Sequence, residues 1–313
     1  MTQINPSELS YPSQDGRTAI HALLWIPQSG EARAIIQITH GMEEYALRYQ
    51  GFASYLAHHG FIVCAQDLLG HGRSVVSAED LSCIPAKTGK DILIEDAHAL
   101  RKIMTERYPN LPYIMFGHSM GSYLMRCYVA RHGAHLAAAV LCGTGNIAPA
   151  MSSAGTLLAR LIAKLKGERA RSSLLARMGT GAYSSRIENP RTPLDWLSID
   201  PAVVDDYIAD PLCGIPFSAA SYAVLTSLTK DAASSSMAKA VPQELPVFFI
   251  AGALDPVGDN GKGVEQAAQL LRDAGLSRVD VKLYEGLRHE ILNEPAKQQV
   301  YTDVVAWIEE QIG

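Results

Sequence analysis

Short apolar runs punctuate the chain at Ala34–Thr39, Phe61–Gln66, Tyr113–Phe116, Ala137–Cys142, Val247–Ala251 and Val279–Tyr284. Most are rich in Val, Ile and Phe and lack clean apolar–polar alternation, as expected of strands buried on both faces of a parallel sheet. The alanine-rich run at Ala137–Cys142 carries the weakest signal of the set. Amphipathic segments lie between the runs. Asp91–Tyr108 places Ile92, Ile94, Leu100, Ile103 and Met104 at helical spacing and stops before Pro109. Gly261–Ala274 and Pro295–Ile312 read the same way, the second with proline at a helix start. Upstream, Ser7–Tyr11 and Thr18–Trp25 flank Asp15-Gly16, a dipeptide suited to a tight hairpin turn. This alternation predicts an α/β fold with a mostly parallel central sheet flanked by helices.

The rhythm breaks between Ile147 and Met237, where no buried-strand pattern occurs. Ala154–Lys166 carries Leu157, Leu158, Leu161, Ile162 and Leu165 at helical spacing, and these are expected to pack on the core. The predicted organisation is a core of residues 1–146 and 238–313 with a helical cap, 147–237, inserted between two strands.

Composition narrows the function classes. The 313 residues are 48% hydrophobic, enough for a full-sized core. A net charge of −5 offers no basic footprint for nucleic acid. The loose basic cluster from Arg160 to Arg177 reads as a solvated helical face. Cys64, Cys83, Cys127, Cys142 and Cys213 form neither a C-x-x-C pair nor a metal spacing, which fits a reducing compartment. Met1–Ser13 lacks the basic and apolar regions of a signal peptide, and no apolar run approaches the ~20 residues of a membrane span. The expectation is a cytoplasmic protein.

The strand at Tyr113–Phe116 runs into Gly117-His118-Ser119-Met120-Gly121, and an apolar helix follows over Tyr123–Arg131. Strand, sharp turn and helix are the setting in which G-x-S-x-G raises a serine nucleophile above a sheet. Gly117 and Gly121 remove Cβ atoms that would collide in so tight a turn. The Met120 N–H then stands at a helix N-terminus, where free donors and the helix dipole favour an oxyanion. Strand Ala34–Thr39 leads into His40-Gly41-Met42, and the Met42 N–H is the candidate second donor. His40 itself reads as a structural residue that holds this loop.

Past the insertion, strand Val247–Ala251 ends in Gly252-Ala253-Leu254-Asp255, and strand Val279–Tyr284 is followed by Glu285 to His289. Both Asp255 and His289 lie beyond strand C-termini, the edge where open α/β sheets gather their ligands. The chain order Ser119, Asp255, His289 predicts a nucleophile, an orienting carboxylate and a general base. Asp259 and Asp280 compete less well for the carboxylate role, one farther from the strand end and one inside a strand. His118, His71 and His40 sit on the wrong loops to be the base. Asp67 to Ser74 gathers Asp, His and Ser, but so short a loop cannot present all three to one carbonyl. It reads as a structural turn lining the far side of the site. His71 has no partner at ligand spacing, so neither a metal nor an organic cofactor is expected. Because His289 must be neutral to act as base, activity is expected to fall on acidification.

Taken together, these segments resemble the monoacylglycerol lipase and lysophospholipase branch of the α/β-hydrolases. The resemblance is carried by His40-Gly41-Met42-Glu43-Glu44 with Arg48-Tyr49, by Asp67 to Ser74, and by Gly117 to Gly121. Asp210-Pro211-Leu212-Cys213 and Arg288-His289-Glu290 with Asn293-Glu294 complete it. It implies an α/β-hydrolase fold, the roles already given to Ser119, Asp255, His289, Met42 and Met120, and a cap enclosing an apolar passage for an acyl chain. The implied reaction is hydrolysis of single-chain lipid esters, such as monoacylglycerols, through an acyl-serine intermediate. Transient contact of the cap with a membrane surface is part of the same expectation. The alternatives left open are a lysophospholipase, a short-chain esterase, and a non-catalytic ligand binder on the same fold. A prolyl-type aminopeptidase, with Asp195, Asp200, Asp205 and Asp206 available to hold an amine, is a further one.

Overall fold

A computed structural model describes residues 2–28 and 30–313. Eight strands form one sheet: β1 Ser7–Pro12, β2 Ala19–Trp25, β3 Ala34–Thr39, β4 Phe61–Gln66, β5 Tyr113–His118, β6 Ala138–Cys142, β7 Val247–Gly252 and β8 Val279–Tyr284. Their order across the sheet is β1-β2-β4-β3-β5-β6-β7-β8. β1 and β2 pair antiparallel, β2 joins β4 antiparallel, and every later pairing is parallel. Every residue of β3 to β7 is buried, which explains their mostly apolar sequences without alternation. The hairpin turn is wider than Asp15-Gly16 alone. The Asp15 carboxylate folds back to accept the Arg17 and Thr18 N–H groups, each at 2.8 Å.

Helices cover both faces: α1 Gln50–His58, α2 Gly89–Arg107, α3 Met120–His132, α4 Pro149–Lys166, α5 Ser173–Met178, α6 Thr180–Ser184, α7 Pro201–Ala209, α8 Ala219–Ala232, α9 Ser235–Ala240, α10 Lys262–Asp273 and α11 Lys297–Ile312. The insertion between β6 and β7 thus carries α4 to α9, and residue 237 falls within α9. β5 extends two residues beyond the apolar run, because Gly117 and His118 still pair with β6. α4 starts at Pro149, ahead of the predicted Ala154, and α11 starts after Pro295 instead of at it.

The parallel strands finish level with one another. Thr39 is opposite both Gln66 and Gly117, His118 opposite Cys142, and Gly252 opposite Tyr284. The loops that follow them therefore gather on one edge of the sheet.

The insertion is fastened at both ends by one side chain. Arg126, on α3, donates to the Gly145 carbonyl (2.8 Å) and to Asn146 Oδ1 (3.4 Å) just before α4. It also donates to the Ala232 carbonyl at the end of α8 (2.6 Å). Its burial pushes the guanidinium down to about 10, still protonated at neutral pH. Within the insertion, α4 packs on α8, with hydroxyl contacts from Ser152 to Thr229 at 3.0 Å and from Thr156 to Thr226 at 2.9 Å.

The leucines of α4 depart from expectation. Leu158 and Ile162 pack on the core, whereas Leu157, Leu161 and Leu165 are 71%, 50% and 74% exposed. Periodicity identified the helix correctly, but the face it presents to solvent is also apolar.

Candidate active site

Ser119 sits between β5 and α3 with φ 53° and ψ −120°, a backbone conformation that costs a non-glycine residue about 1–3 kcal/mol. The sequence around it removes every obstacle to that turn. A Cβ on Gly117 would lie 2.4 Å from the Gly121 carbonyl oxygen, and one on Gly121 would lie 2.2 Å from that of Thr39. Only glycine at both positions lets β5, α3 and the loop after β3 meet here.

His289 follows β8 and Asp255 follows β7, as the sequence predicted. The two meet at 2.9 Å, Nδ1 to Oδ2, and both are buried. A carboxylate can only accept, so the proton rests on Nδ1 and Nε2 is left as the basic nitrogen. Asp255 Oδ1 in turn accepts the Val257 N–H at 2.9 Å, which fixes the carboxylate plane. Ser119 and His289 line one small cavity together with Met42. Among the described residues the Ser119 hydroxyl has no protein hydrogen-bond partner, a looseness common in unliganded hydrolase sites.

The loop at Gly41-Met42 backs directly onto the serine. A Cβ on Gly41 would stand 3.0 Å from the Ser119 Cβ and 2.6 Å from Glu44 Oε1. Neither Met42 nor Met120 donates its N–H to any of the described residues, so two free donors flank Ser119. Gly41→Ala is expected to push this loop away from Ser119 and lower kcat by about 10- to 100-fold, part of the ~10²–10³ associated with an oxyanion donor. Steady-state kinetics on an activated ester would check it, and an unchanged kcat would speak against this loop as the donor.

A buried ionic cluster lies beneath the site. Arg48 forms a two-pronged bond to Glu290 (2.7 and 2.8 Å) and a single one to Glu44 (2.9 Å). Glu44 Oε1 also accepts the Gly41 N–H (2.7 Å) and the Tyr49 hydroxyl (2.9 Å), and lies 3.3 Å from His118 Nδ1. Burial opposes ionisation of both carboxyls, yet His118 and Arg48 hold Glu44 well below its usual range, and Arg48 does the same for Glu290. Burial alone would lower His118, but the adjoining Glu44 carboxylate outweighs it and the imidazole is raised. His118 was set aside as a base from its position in sequence. Here its ring packs 4.8 Å from that of His289, supporting it from below.

The remaining sequence candidates separate cleanly. His40 is structural: its Nδ1 meets the Gly41 carbonyl at 2.7 Å and its Nε2 accepts the Leu68 N–H at 2.9 Å. Asp67 is also structural, accepting the Ala46 and Arg73 N–H groups, each at 2.9 Å. The expectation that Asp67 to Ser74 lines the site is corrected, because none of these residues borders the cavities at Ser119. Burial, with the His40 ring beside it, pushes His71 down to about 3, and no metal-binding group of three or more ligands occurs among the described residues. Trp196, from the cap, was missed altogether. It is buried with its ring 5.0 Å from that of His289.

A second cavity of about 190 Å³ extends from Ser119 between the core and the insertion. Its walls include Met120, Ile147, Leu175, Leu225 and Val257, with Met151 and Met178 at more exposed positions (68% and 57%). A larger cleft of about 640 Å³ runs along Gln14, Thr18, Asp80 and Glu95 and touches none of the candidate residues.

Comparison with known proteins places the chain in a family. A family model described as serine aminopeptidase, S33 (Hydrolase_4) matches residues 30–296. The monoacylglycerol lipase of Mycolicibacterium smegmatis is 30% identical over 98% of this chain and 99% of its own. The human monoglyceride lipase is 25% identical over 92% of this chain and 86% of its own. Among solved structures, a thermostable carboxyl esterase from Bacillus coagulans, in complex with glycerol, superposes with a TM-score of 0.92 and 33% identity. That superposition covers 99% of this chain and 100% of the esterase. The chain therefore belongs to the α/β-hydrolase family described as serine aminopeptidase S33, and within it resembles the monoacylglycerol lipases.

Proposed function

We propose that this carboxylic-ester hydrolase cleaves monoacylglycerols or similar single-chain lipid esters, with Ser119 as nucleophile, His289 as base and Asp255 as its orienting carboxylate. In this reading His289 Nε2 takes the Ser119 proton as Oγ attacks the ester carbonyl. The oxyanion is received by the Met42 and Met120 N–H groups. His289 then protonates the departing glycerol oxygen, leaving an acyl-serine. Water, deprotonated by the same imidazole, attacks that ester and frees the fatty acid.

The observation that carries the substrate class is the apolar cavity leading from Ser119 into the cap. It suits a hydrocarbon chain. Residues 147–237 act in this reading as the cap that encloses the acyl group. The exposed Met151, Leu157, Leu161, Leu165, Leu174 and Met178, interspersed with exposed Arg160, Lys164, Lys166 and Arg177, support transient contact with a membrane surface. No helix is long and apolar enough to cross a membrane among the described residues. The five unpaired cysteines accord with a cytoplasmic setting.

An aminopeptidase reading finds less support. Asp195 is engaged by the Arg191 N–H and the Thr192 hydroxyl, Asp200 caps α7, and Asp205 pairs with Arg191. None of Asp195, Asp200, Asp205 or Asp206 lines the cavities at Ser119.

The test is a chain-length series of monoacylglycerols assayed beside matching lysophosphatidylcholines, short p-nitrophenyl esters and aminoacyl anilides. Higher kcat/KM on the glycerol esters is the expected outcome. Preference for the lysophospholipids or the short esters would keep the chemistry and replace the substrate. Turnover of the anilides alone would move the function to peptide-bond hydrolysis.

A further inference from the structure

The loop after β3 carries two successive glutamates that reach in opposite directions. Glu44 grips the core through Gly41, Arg48 and Tyr49. Glu43 grips the cap. Its Oε1 accepts the Phe217 N–H at 2.9 Å, and its backbone carbonyl accepts the Gly214 N–H at 2.9 Å and the Tyr207 hydroxyl at 2.8 Å. These bonds join one residue to the end of α7 and to the segment by which the chain returns to α8.

Glu43 is 9% exposed and has φ 56°, a left-handed conformation that non-glycine residues rarely adopt. Such strain persists where the surroundings over-determine it, and it gathers at functional sites. Met42 is its immediate neighbour in the chain. Only the planar Met42–Glu43 peptide and the Met42 dihedrals separate the Met42 N–H from the anchored residue, which leaves little slack.

We propose that Glu43 is a positioning residue that ties the Met42 N–H to the returning end of the cap, so that the seating of the cap sets the donor's place beside Ser119. The inference rests on Met42 serving as an oxyanion donor in the function proposed above.

The surroundings of the carboxyl give the proposal a signature. Burial raises Glu43 to about 7, against the opposing pull of the Phe217 N–H and the Arg171 guanidinium. Tyr207 and Tyr222 face it from the cap, and Glu44 adjoins it in the loop. A folded-state value raised above the unfolded one means the protonated form is favoured by folding. The stabilisation this gives is complete below the unfolded value of about 4.5 and is lost as pH rises through about 7. A glutamine would accept the same Phe217 N–H without titrating.

The experiment compares wild type, Glu43→Gln and Glu43→Gly by steady-state turnover of p-nitrophenyl butyrate and by fluorophosphonate labelling. The butyrate ester reads the oxyanion hole without depending on a glycerol head group. E43G relieves the backbone but removes the carboxyl, and kcat is expected to fall at least about tenfold with KM changed less than about threefold. E43Q is expected to recover most of that loss. The ratio of E43Q to wild-type kcat should rise between about pH 6 and about pH 8, as the wild-type carboxyl ionises and the glutamine does not. An E43G enzyme with wild-type kcat would overturn the inference. So would a pH-independent ratio for E43Q, which decides the matter even if E43G does not fold. A wild type that neither labels nor turns over the ester would overturn the functional reading and this inference with it. Wild-type turnover with an indifferent E43G overturns the inference alone.

Discussion

Ser119→Ala should abolish ester turnover, lowering kcat by on the order of 10⁶-fold, about 8 kcal/mol of transition-state stabilisation. The size of the effect follows from how the residues act together. Without Oγ there is no acyl-enzyme, and the His289–Asp255 pair (2.9 Å) has no proton to take. Adding His289→Ala to Ser119→Ala should therefore cost little more, because groups that act as one unit are not additive. The residual rate would come from the Met42 and Met120 N–H groups acting on a bound ester attacked by water. Fluorophosphonate labelling should disappear in both variants while the fold, followed by circular dichroism, persists. Substantial turnover by a folded Ser119→Ala protein would mean that the strained serine is not the nucleophile.

Arg48→Met should be the most damaging single change to stability in the ionic cluster, at about 3–5 kcal/mol. The arginine lies between Glu44 and Glu290, both buried, and also stacks on the Tyr207 ring at 4.8 Å. Methionine fills part of the volume but leaves two carboxylates in the core without their cation. Lysine would not restore the arrangement, since one ammonium cannot reproduce the two-pronged bond to Glu290. The pH dependence has a definite sign. In the wild type both carboxyls are held below their unfolded values, so their contribution is present above about pH 4.5 and is lost as pH falls through the folded values. The deficit of Arg48→Met should accordingly be largest near neutrality and shrink in acid, where the unpaired carboxyls take up protons. Denaturant titrations at about pH 7.5 and at a pH well below the unfolded value of about 4.5 would measure this. Equal deficits at both would mean that Arg48 contributes packing alone.

Much of the sheet was legible because burial on both faces leaves a plain mark in sequence. The runs at Ala34–Thr39 and Phe61–Gln66 coincide with β3 and β4; Val279–Tyr284 coincides with β8, an edge strand buried only at its two ends. The candidate site was legible for a related reason. A serine in so strained a turn requires Gly117 and Gly121, and residues just past strand ends must share one edge. What escaped depended on contacts between distant segments. Trp196 has no local pattern that would distinguish it from any other apolar residue of the insertion, yet its ring packs at a tilt against that of His289. Arg126 reads as one charge on an amphipathic helix, although it fastens both ends of the insertion. The leucines of α4 show the limit of periodicity, which reports that a face is apolar and not what covers it. Glu43 stands at a positive φ that no propensity argument would assign to glutamate.

The hydroxyl seam between α4 and α8 has a further consequence for cooperativity. α8 also packs on α2 and α3 and so belongs to the core, whereas α4 rests chiefly on α8. The buried face of α4 combines the Ser152 and Thr156 hydroxyls with Ala159 and Ala163, while Leu157, Leu161 and Leu165 stay exposed on its other face. A helix held mainly by one neighbour should open locally at lower free energy than one held by several, so amide exchange is expected to be faster in α4 than in α8. Opening of α4 alone would leave the sheet and the strained turn at Ser119 in place.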